Sequence, residues 1–397
     1  MPEVDKTGDF WHIFCLIHIY RDSSFSLYCL KLFSLSLKTI FTRISDSFGF
    51  DSHKPSWIKE IEMEVIGIDI GFGFTKVATR DEVLIFKSLL GEPTDMQFRA
   101  NIGNGSFIKN LYVTIDGKSY FIGDFAEQQS NVRRFTLDNE KLISEFVKVL
   151  AVTAIGIRSE KDIPINVVSG LPVGYLRENR ERFLQILTGH HNITYHNPDG
   201  SETRKRITID KIQMLPQPLG SVFSLLMNGE GKATNMELAK QKIGVIDIGF
   251  RTTDFAILNR LKLGERGSST IEMGISTSFS EIADKLREMS GVSVELYRMY
   301  KAVETGSIKI RGQEYNISNL KDQTYSVLAG KIAGVINQLW ADEWDIDMIL
   351  LTGGGGAELT KYLEPLIAGD VIPIENSIDA RLNNVQGYLK FGKYKWG

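Results

Sequence analysis

The chain has almost no cysteine. Cys15 and Cys29 are its only two, and everything after Cys29 is cysteine-free. That excludes a disulfide scaffold and a cysteine-based zinc site from the main body, and it suits a reducing cytoplasm. An excess of either charge is missing too: 46 Lys and Arg face 49 Asp and Glu, for a net −3. Direct, non-specific nucleic-acid binding therefore has no electrostatic support. No low-complexity linker divides the chain. What is there, 43% hydrophobic and 24% charged residues over 397 positions, suits a globular protein with one large core or a few domain-sized ones.

Residues 1–62 differ from the rest. They are rich in Phe, Leu, Ser and Ile, with Arg21, Asp22, Lys31, Lys38 and Arg43 interspersed. No run there reaches the roughly 18–20 uninterrupted apolar residues of a membrane span. A signal peptide fits poorly, because charges fall inside the apolar part and no small-residue cleavage site follows. An amphipathic surface anchor, with Lys31 and Lys38 snorkelling, is one reading. The other, adopted here, is an appendage or an over-extended start, since Met63 stands just before the first strand. No membrane partner is expected.

From Met63 onward, short β-branched runs and amphipathic helices alternate. Val65–Asp69, Val83–Phe86, Ile165–Val168, Ile243–Asp247, Asp254–Leu258 and Met348–Leu351 read as strands, with a hairpin turned at Asp116-Gly117. Leu142, Phe146, Val149, Leu150 and Ala154 recur at helical spacing, with Asp138 as N-cap. Further helices are expected over Arg177–Leu187, Leu219–Met227, Phe279–Met289 and Tyr325–Trp340, and one opening at Ala357. This pattern predicts an α/β protein with both sheet faces covered and two halves around a cleft. His190, His191 and His196 lie near a strand pair and are read as surface residues.

One phrase occurs twice: Ile68-Asp69-Ile70-Gly71-Phe72 and Ile246-Asp247-Ile248-Gly249-Phe250. Each copy puts an Asp at a strand end and a glycine in the turn after it. Glycine tolerates positive φ, and its missing side chain lets backbone N–H groups approach a ligand. Lys76 adds a cation, and Thr75, Thr252 and Thr253 add hydroxyls. Asp69 and Asp247 facing each other across a cleft would repel unless a cation lay between them, and a hydrated Mg²⁺ held through its waters is the natural candidate. One such turn is a common strand exit. Two copies opening two halves, followed by the run Gly353-Gly354-Gly355-Gly356, are a stronger signal.

In this order the motifs resemble the two phosphate loops and the adenosine loop of the actin/Hsp70/sugar-kinase ATPase superfamily. Within it the chain is most similar to the prokaryotic actin-like proteins of the ParM, plasmid-segregation type. Ile122–Ala126, Ser169–Val173 and Asn383–Tyr388 support that resemblance. It implies an actin-like ATPase fold: two related, RNase H-like α/β halves around a nucleotide cleft. The expected domains are an extension at 1–62, a first domain at 63–242, and a second at 243–397 whose final helix returns to the first.

The resemblance also implies roles. Asp69 and Asp247 would hold the waters of Mg²⁺, and Gly71, Phe72 and Gly73 would present N–H groups to the β-phosphate. Lys76 would reach the phosphates. Gly249, Phe250, Arg251 and Thr252 would wrap the γ-phosphate, and Gly353, Gly354 and Gly355 would lie against adenosine. Gln217 stands where this family keeps the residue that orients the attacking water. An amide takes up no proton near neutral pH, so it can only position water, and hydrolysis should be slow. One of Glu281, Lys285 and Arg287, with Lys285 carried forward, is the candidate base or ribose contact, although Glu281 and Lys285 also suit a solvated helix face. Phe72 and Phe250 are bulky where actins have small or polar residues, which suggests mostly backbone contacts to phosphate.

The implied function is a cytoplasmic, filament-forming protein that binds and hydrolyses ATP, with GTP left open because no base-reading residue is fixed. Its partners would be further copies of itself and a DNA-binding adaptor for plasmid segregation. Other actin relatives, in cell shape, division or organelle positioning, share the core. An Hsp70-type chaperone would need a substrate-binding domain after Gly387, and a sugar kinase would need a catalytic Asp base for which there is no clear candidate.

Overall fold

A computed structural model describes residues 63–94, 107–135, 142–159, 163–373 and 379–397. The extension at 1–62 and the Asp138 cap lie outside the described residues. Met63–Gly397 makes one compact unit. Its chain opens with the meander β1 (Glu64–Ile70), β2 (Phe74–Ala78) and β3 (Val83–Lys87). After β4 (Leu90–Gly91), the hairpin β5 (Tyr112–Ile115) and β6 (Lys118–Ile122) turns at Asp116 and Gly117, both at positive φ (47° and 85°). Then come α1 (Asp124–Gln129), β7 (Arg133–Arg134), α2 (Val147–Arg158), β8 (Pro164–Leu171) and α3 (Val173–Leu187). The long antiparallel pair β9 (Gly189–His196) and β10 (Glu202–Pro216) leads into α4 (Pro218–Leu226).

The second half starts with β11 (Lys242–Ile248), β12 (Thr253–Asn259) and β13 (Lys262–Ile271). Next are α5 (Ile275–Ser290), α6 (Leu296–Thr305), the hairpin β14 (Ser307–Ile310) and β15 (Gln313–Asn316), and α7 (Ser318–Leu339). The chain ends with β16 (Met348–Thr352), α8 (Gly354–Leu363), β17 (Val371–Pro373) and α9 (Asn383–Trp396).

The first sheet has the order β3-β2-β1-β8-β10-β9-β5-β6-β4-β7 and the second β13-β12-β11-β16-β17. Five consecutive strands of the first match the whole of the second. In each, a central strand (β1, β11) pairs antiparallel with the next strand and parallel with a later one. The repeated phrase sits at the end of these two central strands, which is why it appears twice. Both strands are apolar on either face because helices cover both faces. On the first sheet, Val147 and Leu150 of α2 pack against Ile66 and Ile68. Val385 and Leu389 of α9 close the other face against Ala78. On the second, Phe279, Ile282, Leu328 and Ile332 pack against Ile246 and Ile248. Leu219, Val222 and Leu226 of α4 fill the reverse side with Val245 and Ala256.

The halves thus exchange helices: α4 follows the first sheet but covers the second, and α9 follows the second but covers the first. Where the two helices cross there is no room for side chains. A Cβ on Gly387 would lie 1.6 Å from the Gly220 carbonyl oxygen, and one on Gly220 would lie 2.7 Å from that of Asn384.

Several elements run beyond their sequence-based limits. The helix expected from Arg177 starts at Val173, with Pro172 at its N-cap, and the one expected from Tyr325 starts at Ser318. The helix expected to open at Ala357 begins at Gly354. His191, expected at the surface, is buried, with Nε2 bonded to the Leu187 carbonyl at 2.8 Å, and burial lowers its pKa. His196 stacks on Tyr112. Among the described residues no helix is long and apolar enough to cross a membrane.

The helix crossing yields a paired test. Gly387→Ala should destabilise the protein by at least about 3 kcal/mol, because backbone blocks the added methyl. Gly334→Ala, on α7 with nothing within 4 Å of its Cβ position, should stabilise by about 0.5–1 kcal/mol. Urea unfolding of both variants beside the parent measures the contrast.

Candidate functional site

The two repeated turns close in the same way. The Gly71 N–H donates to the Phe74 carbonyl at 3.0 Å, and the Gly249 N–H donates to the Thr252 carbonyl at 2.9 Å. These two N–H groups are consumed inside their own turns, which corrects the expectation that Gly71 and Gly249 offer them to a ligand. Neither glycine nor Gly73 has positive φ. Glycine is needed here for space: a Cβ on Gly73 would lie 2.0 Å from the Tyr300 hydroxyl oxygen. The hydroxyls of Thr75 and Thr253 are also spoken for, by Ser88 at 3.0 Å and by the Met273 carbonyl at 2.5 Å.

Equivalent positions follow the two turns. Lys76 lies opposite Asp69 in the β1–β2 register, and Asp254 lies opposite Asp247 in the β11–β12 register. The Lys76 ammonium donates to Asp69 Oδ2 at 2.7 Å. Asp247 has no such partner and takes a hydrogen bond from Asn384 Nδ2 at 2.7 Å. Burial pushes the Asp247 carboxyl up to about 6; the Asn384 bond opposes this, the Asp69 charge adds to it, and Lys76 opposes it. Asn384 belongs to a buried polar chain, since its Oδ1 accepts from Ser221, which also bonds Thr352 Oγ1 at 2.7 Å.

Asp254 has a separate role that sequence reasoning missed. Its Oδ1 accepts from Thr270 Oγ1 at 2.6 Å and from the Val173 N–H at 2.7 Å. The Gly174 N–H donates to Thr270 Oγ1 at 2.7 Å. The second half thereby holds the N-terminus of α3, an element of the first half, where a carboxylate is favoured by the helix dipole. Burial nevertheless pushes the Asp254 carboxyl up to about 7, with the Asp247 charge adding to it and the two hydrogen bonds opposing it.

Between the halves lies a cleft of about 350 Å³, a volume in the range of small-molecule sites. It brings together Gly71, Phe72, Gly73, Lys76 and Gln217 from one side with Gly249, Phe250, Arg251, Thr252, Gly354 and Gly355 from the other. Asp69 and Asp247 are buried behind this lining. Gly353 is also set back: its φ is 83°, and a Cβ there would lie 2.4 Å from Asp247 Oδ1. The glycine run is therefore a packed helix start.

Some side chains are placed differently from expectation. Lys285 does not line the cleft; it is exposed and pairs with Glu288 at 2.7 Å on its own helix. Glu281, expected to pair with Lys285, reaches Lys331 instead. Arg251 lines the cleft, and its guanidinium pairs with Glu272 at 2.7 Å. The Phe72 ring belongs to the first core, and the Phe250 ring stacks on Tyr300. The cleft also holds residues no motif announced. Tyr300, Glu304 and Tyr325 line it, and Arg381 lies 4.7 Å over the Phe74 ring while paired with Asp379. Gln217 is the N-cap of α4: its N–H donates to the Leu171 carbonyl at 2.8 Å, and its carbonyl accepts from Gly220. Its side-chain Nε2 lies 3.5 Å from Asp69 Oδ1.

Among the described residues no three His, Cys, Asp or Glu side chains gather to chelate a metal. Asp69 and Asp247 do fit a hydrated divalent cation, because burial and mutual repulsion leave Asp247 short of positive charge.

Asp247 and Asp254 also set a pH dependence. Their folded pKa values lie above the ordinary 3.8, so the stability they contribute is fully present below about pH 4. It is lost as pH rises through about 6 for Asp247 and about 7 for Asp254. Asp254→Asn keeps an acceptor for Val173 and Thr270 without the buried charge. It should melt at or above the parent temperature at pH 8, with the gap shrinking towards pH 5. Thermal melts of nucleotide-free protein across that range check this, and a gap that does not depend on pH contradicts it.

The sequence matches the actin-like protein N-terminal domain over residues 67–220. It matches the C-terminal domain of the archaeal MreB-like actin homologue over residues 245–365. An archaeal actin homologue of Thermoplasma acidophilum is 25% identical over 336 residues, covering 82% of this chain and 98% of the relative. The homologue of Thermoplasma volcanium is 25% identical over 343 residues, with the same coverage. A solved 15-stranded ParM filament from Clostridium botulinum superposes with a TM-score of 0.71 at 25% identity, covering 83% of this chain and 99% of that one. An archaeal actin homologue in complex with ADP shares the fold, with a TM-score of 0.67 at 21% identity over 82% of this chain and 98% of that one. With two matching strand–turn–strand units around one cleft, and both family domains in order, the chain belongs to the actin-like proteins and has the actin-like ATPase fold.

Proposed function

We propose that this protein binds ATP in the cleft, hydrolyses it slowly and assembles into filaments with further copies of itself. The observation that carries this reading is the convergence of the two repeated turns, with Asp69 and Asp247 behind them, on one cleft. The amides of Phe72, Gly73 and Phe250 would hold the phosphates, with Lys76 as their cation. Gly354 and Gly355 would pass beneath the ribose and base. Mg²⁺, held through water by Asp69 and Asp247, would neutralise charge on the phosphates. Thr252, lining the cleft wall, would face the γ-phosphate.

Gln217 is assigned to orienting the attacking water. Its backbone already serves as the α4 cap, which leaves the side chain for the cleft. On its ParM-type motifs we assign the protein a cytoplasmic role in moving plasmid DNA, and the near-neutral charge of the chain makes a DNA-binding adaptor the contact with that cargo. Base choice, ATP over GTP, would rest on the Glu304 and Tyr325 end of the cleft.

Gln217→Ala should slow phosphate release on the order of 10²-fold, about 2.7 kcal/mol, with ATP affinity nearly unchanged. Asp247→Ala should abolish hydrolysis, and so should Asp69→Ala. Single-turnover phosphate release with excess Mg²⁺, beside equilibrium nucleotide binding, measures all three. Parental rates in the Asp variants would refute the two-turn cleft.

A further inference from the structure

The two repeated turns diverge after their shared phenylalanine: Gly73 follows Phe72, and Arg251 follows Phe250. Gly73 is hemmed in by Tyr300, and no side chain fits there. At the equivalent place the second turn carries a long cation, which lines the cleft together with Thr252.

Three cations line the cleft among the described residues, and they are held differently. Lys76 sits on Asp69, whose carboxylate is only 2% exposed. Arg381 bonds Asp379 through more than one nitrogen and lies over the Phe74 ring. Arg251 pairs with Glu272, whose side chain is 53% exposed. An ion pair so open to water is worth little and is readily exchanged. The Arg251 guanidinium donates to Glu272 Oε2 at 2.7 Å and to the Glu272 carbonyl at 3.0 Å. Glu272 Oε1 accepts from the Tyr175 hydroxyl at 3.1 Å, so the carboxylate keeps a donor when the guanidinium leaves.

We infer that the Arg251 guanidinium is a ligand of the terminal phosphate, held by Glu272 and surrendered to a nucleoside triphosphate. A phosphate carries more charge than a carboxylate and matches the planar guanidinium fork equally well. A diphosphate lacks the group that Arg251 reaches, so with it Arg251 stays on Glu272. The pair therefore sets a preference for triphosphate over diphosphate. Competition of this kind has a signature that a purely structural ion pair lacks. Removing either member of a structural pair weakens the same contact. Removing Glu272 from a competing pair frees Arg251, so the two substitutions act in opposite directions.

This assignment rests on the reading of the cleft as an ATP site, and the test separates the two. Parent, Arg251→Gln, Arg251→Lys, Glu272→Gln and the double variant Arg251→Gln with Glu272→Gln are titrated with β,γ-imido-ATP and with ADP, both in excess Mg²⁺. Arg251→Gln should bind the imido-ATP about tenfold or more weakly, with ADP affinity changed by less than about twofold. Arg251→Lys, which keeps the charge without the fork, should recover part of the loss. Glu272→Gln should bind the imido-ATP about twofold to fivefold more tightly, again without a change for ADP. That gain should vanish in the double variant. Losses in both single variants, equal changes for the two nucleotides, or a parental preference in Arg251→Gln overturn the Arg251 assignment alone. Parent protein that binds neither nucleotide overturns the ATP reading and the assignment with it.

Discussion

The structure depends on what lies opposite each strand-end carboxylate. Asp69 faces Lys76, and the pair is nearly self-sufficient at 2.7 Å. At the equivalent place Asp247 faces Asp254, so the second half buries two acids on neighbouring strands. Uncompensated buried charge costs several kcal/mol, and a fold that keeps it must supply donors from elsewhere. Here the donors come from the C-terminal helix, through Asn384, and from the first half, through the N–H of Val173. The second half supplies Thr270 to Asp254 but not the remaining donors. That dependence ties the two repeated units into one cleft.

The helix crossing makes those donors reach. Asn384 and Gly387 lie three apart on α9, hence on the same face. The contact of Gly387 with Gly220 brings that face against α4, where Ser221 bonds Asn384 Oδ1. The other side of Asn384 is then aimed at Asp247. A side chain at the crossing would push α9 away and leave a buried carboxylate without its donor. Packing and electrostatics at this point are one constraint seen from two sides.

Much of this could be read from the sequence because it is local. β-branched runs marked the central strands, and the duplicated phrase marked the duplicated sheet order. The wall of the cleft, from Gly71–Gly73 through Lys76 and Gln217 to Gly249–Thr252, is where the motifs place it. What stayed hidden depends on distant partners. Asp254 opened an expected strand, but its value comes from Val173, 81 positions away, and that of Asn384 from Asp247, 137 positions away. Spacing carries no trace of such pairs. Lys285 failed for the opposite reason: a local partner, Glu288, holds it on its own helix. The glycines were found for the right places and the wrong cause, since Gly71, Gly73 and Gly249 have no positive φ, Gly73 needs room, and Gly353 alone among the named site glycines uses positive φ.

Two contacts between the halves differ in kind. The α4–α9 crossing is backbone against backbone, and it shares the buried chain of Ser221, Thr352 and Asn384; breaking it would strand polar groups in the core. The contacts from Asp254 and Thr270 to the start of α3 are two hydrogen bonds to N–H groups at a helix end, one of them exposed. The exposed one is open to water, whereas the Val173 bond serves a buried carboxylate. Lys242 and Arg266 tie the loop 341–347 to β11 and β13 of the second sheet.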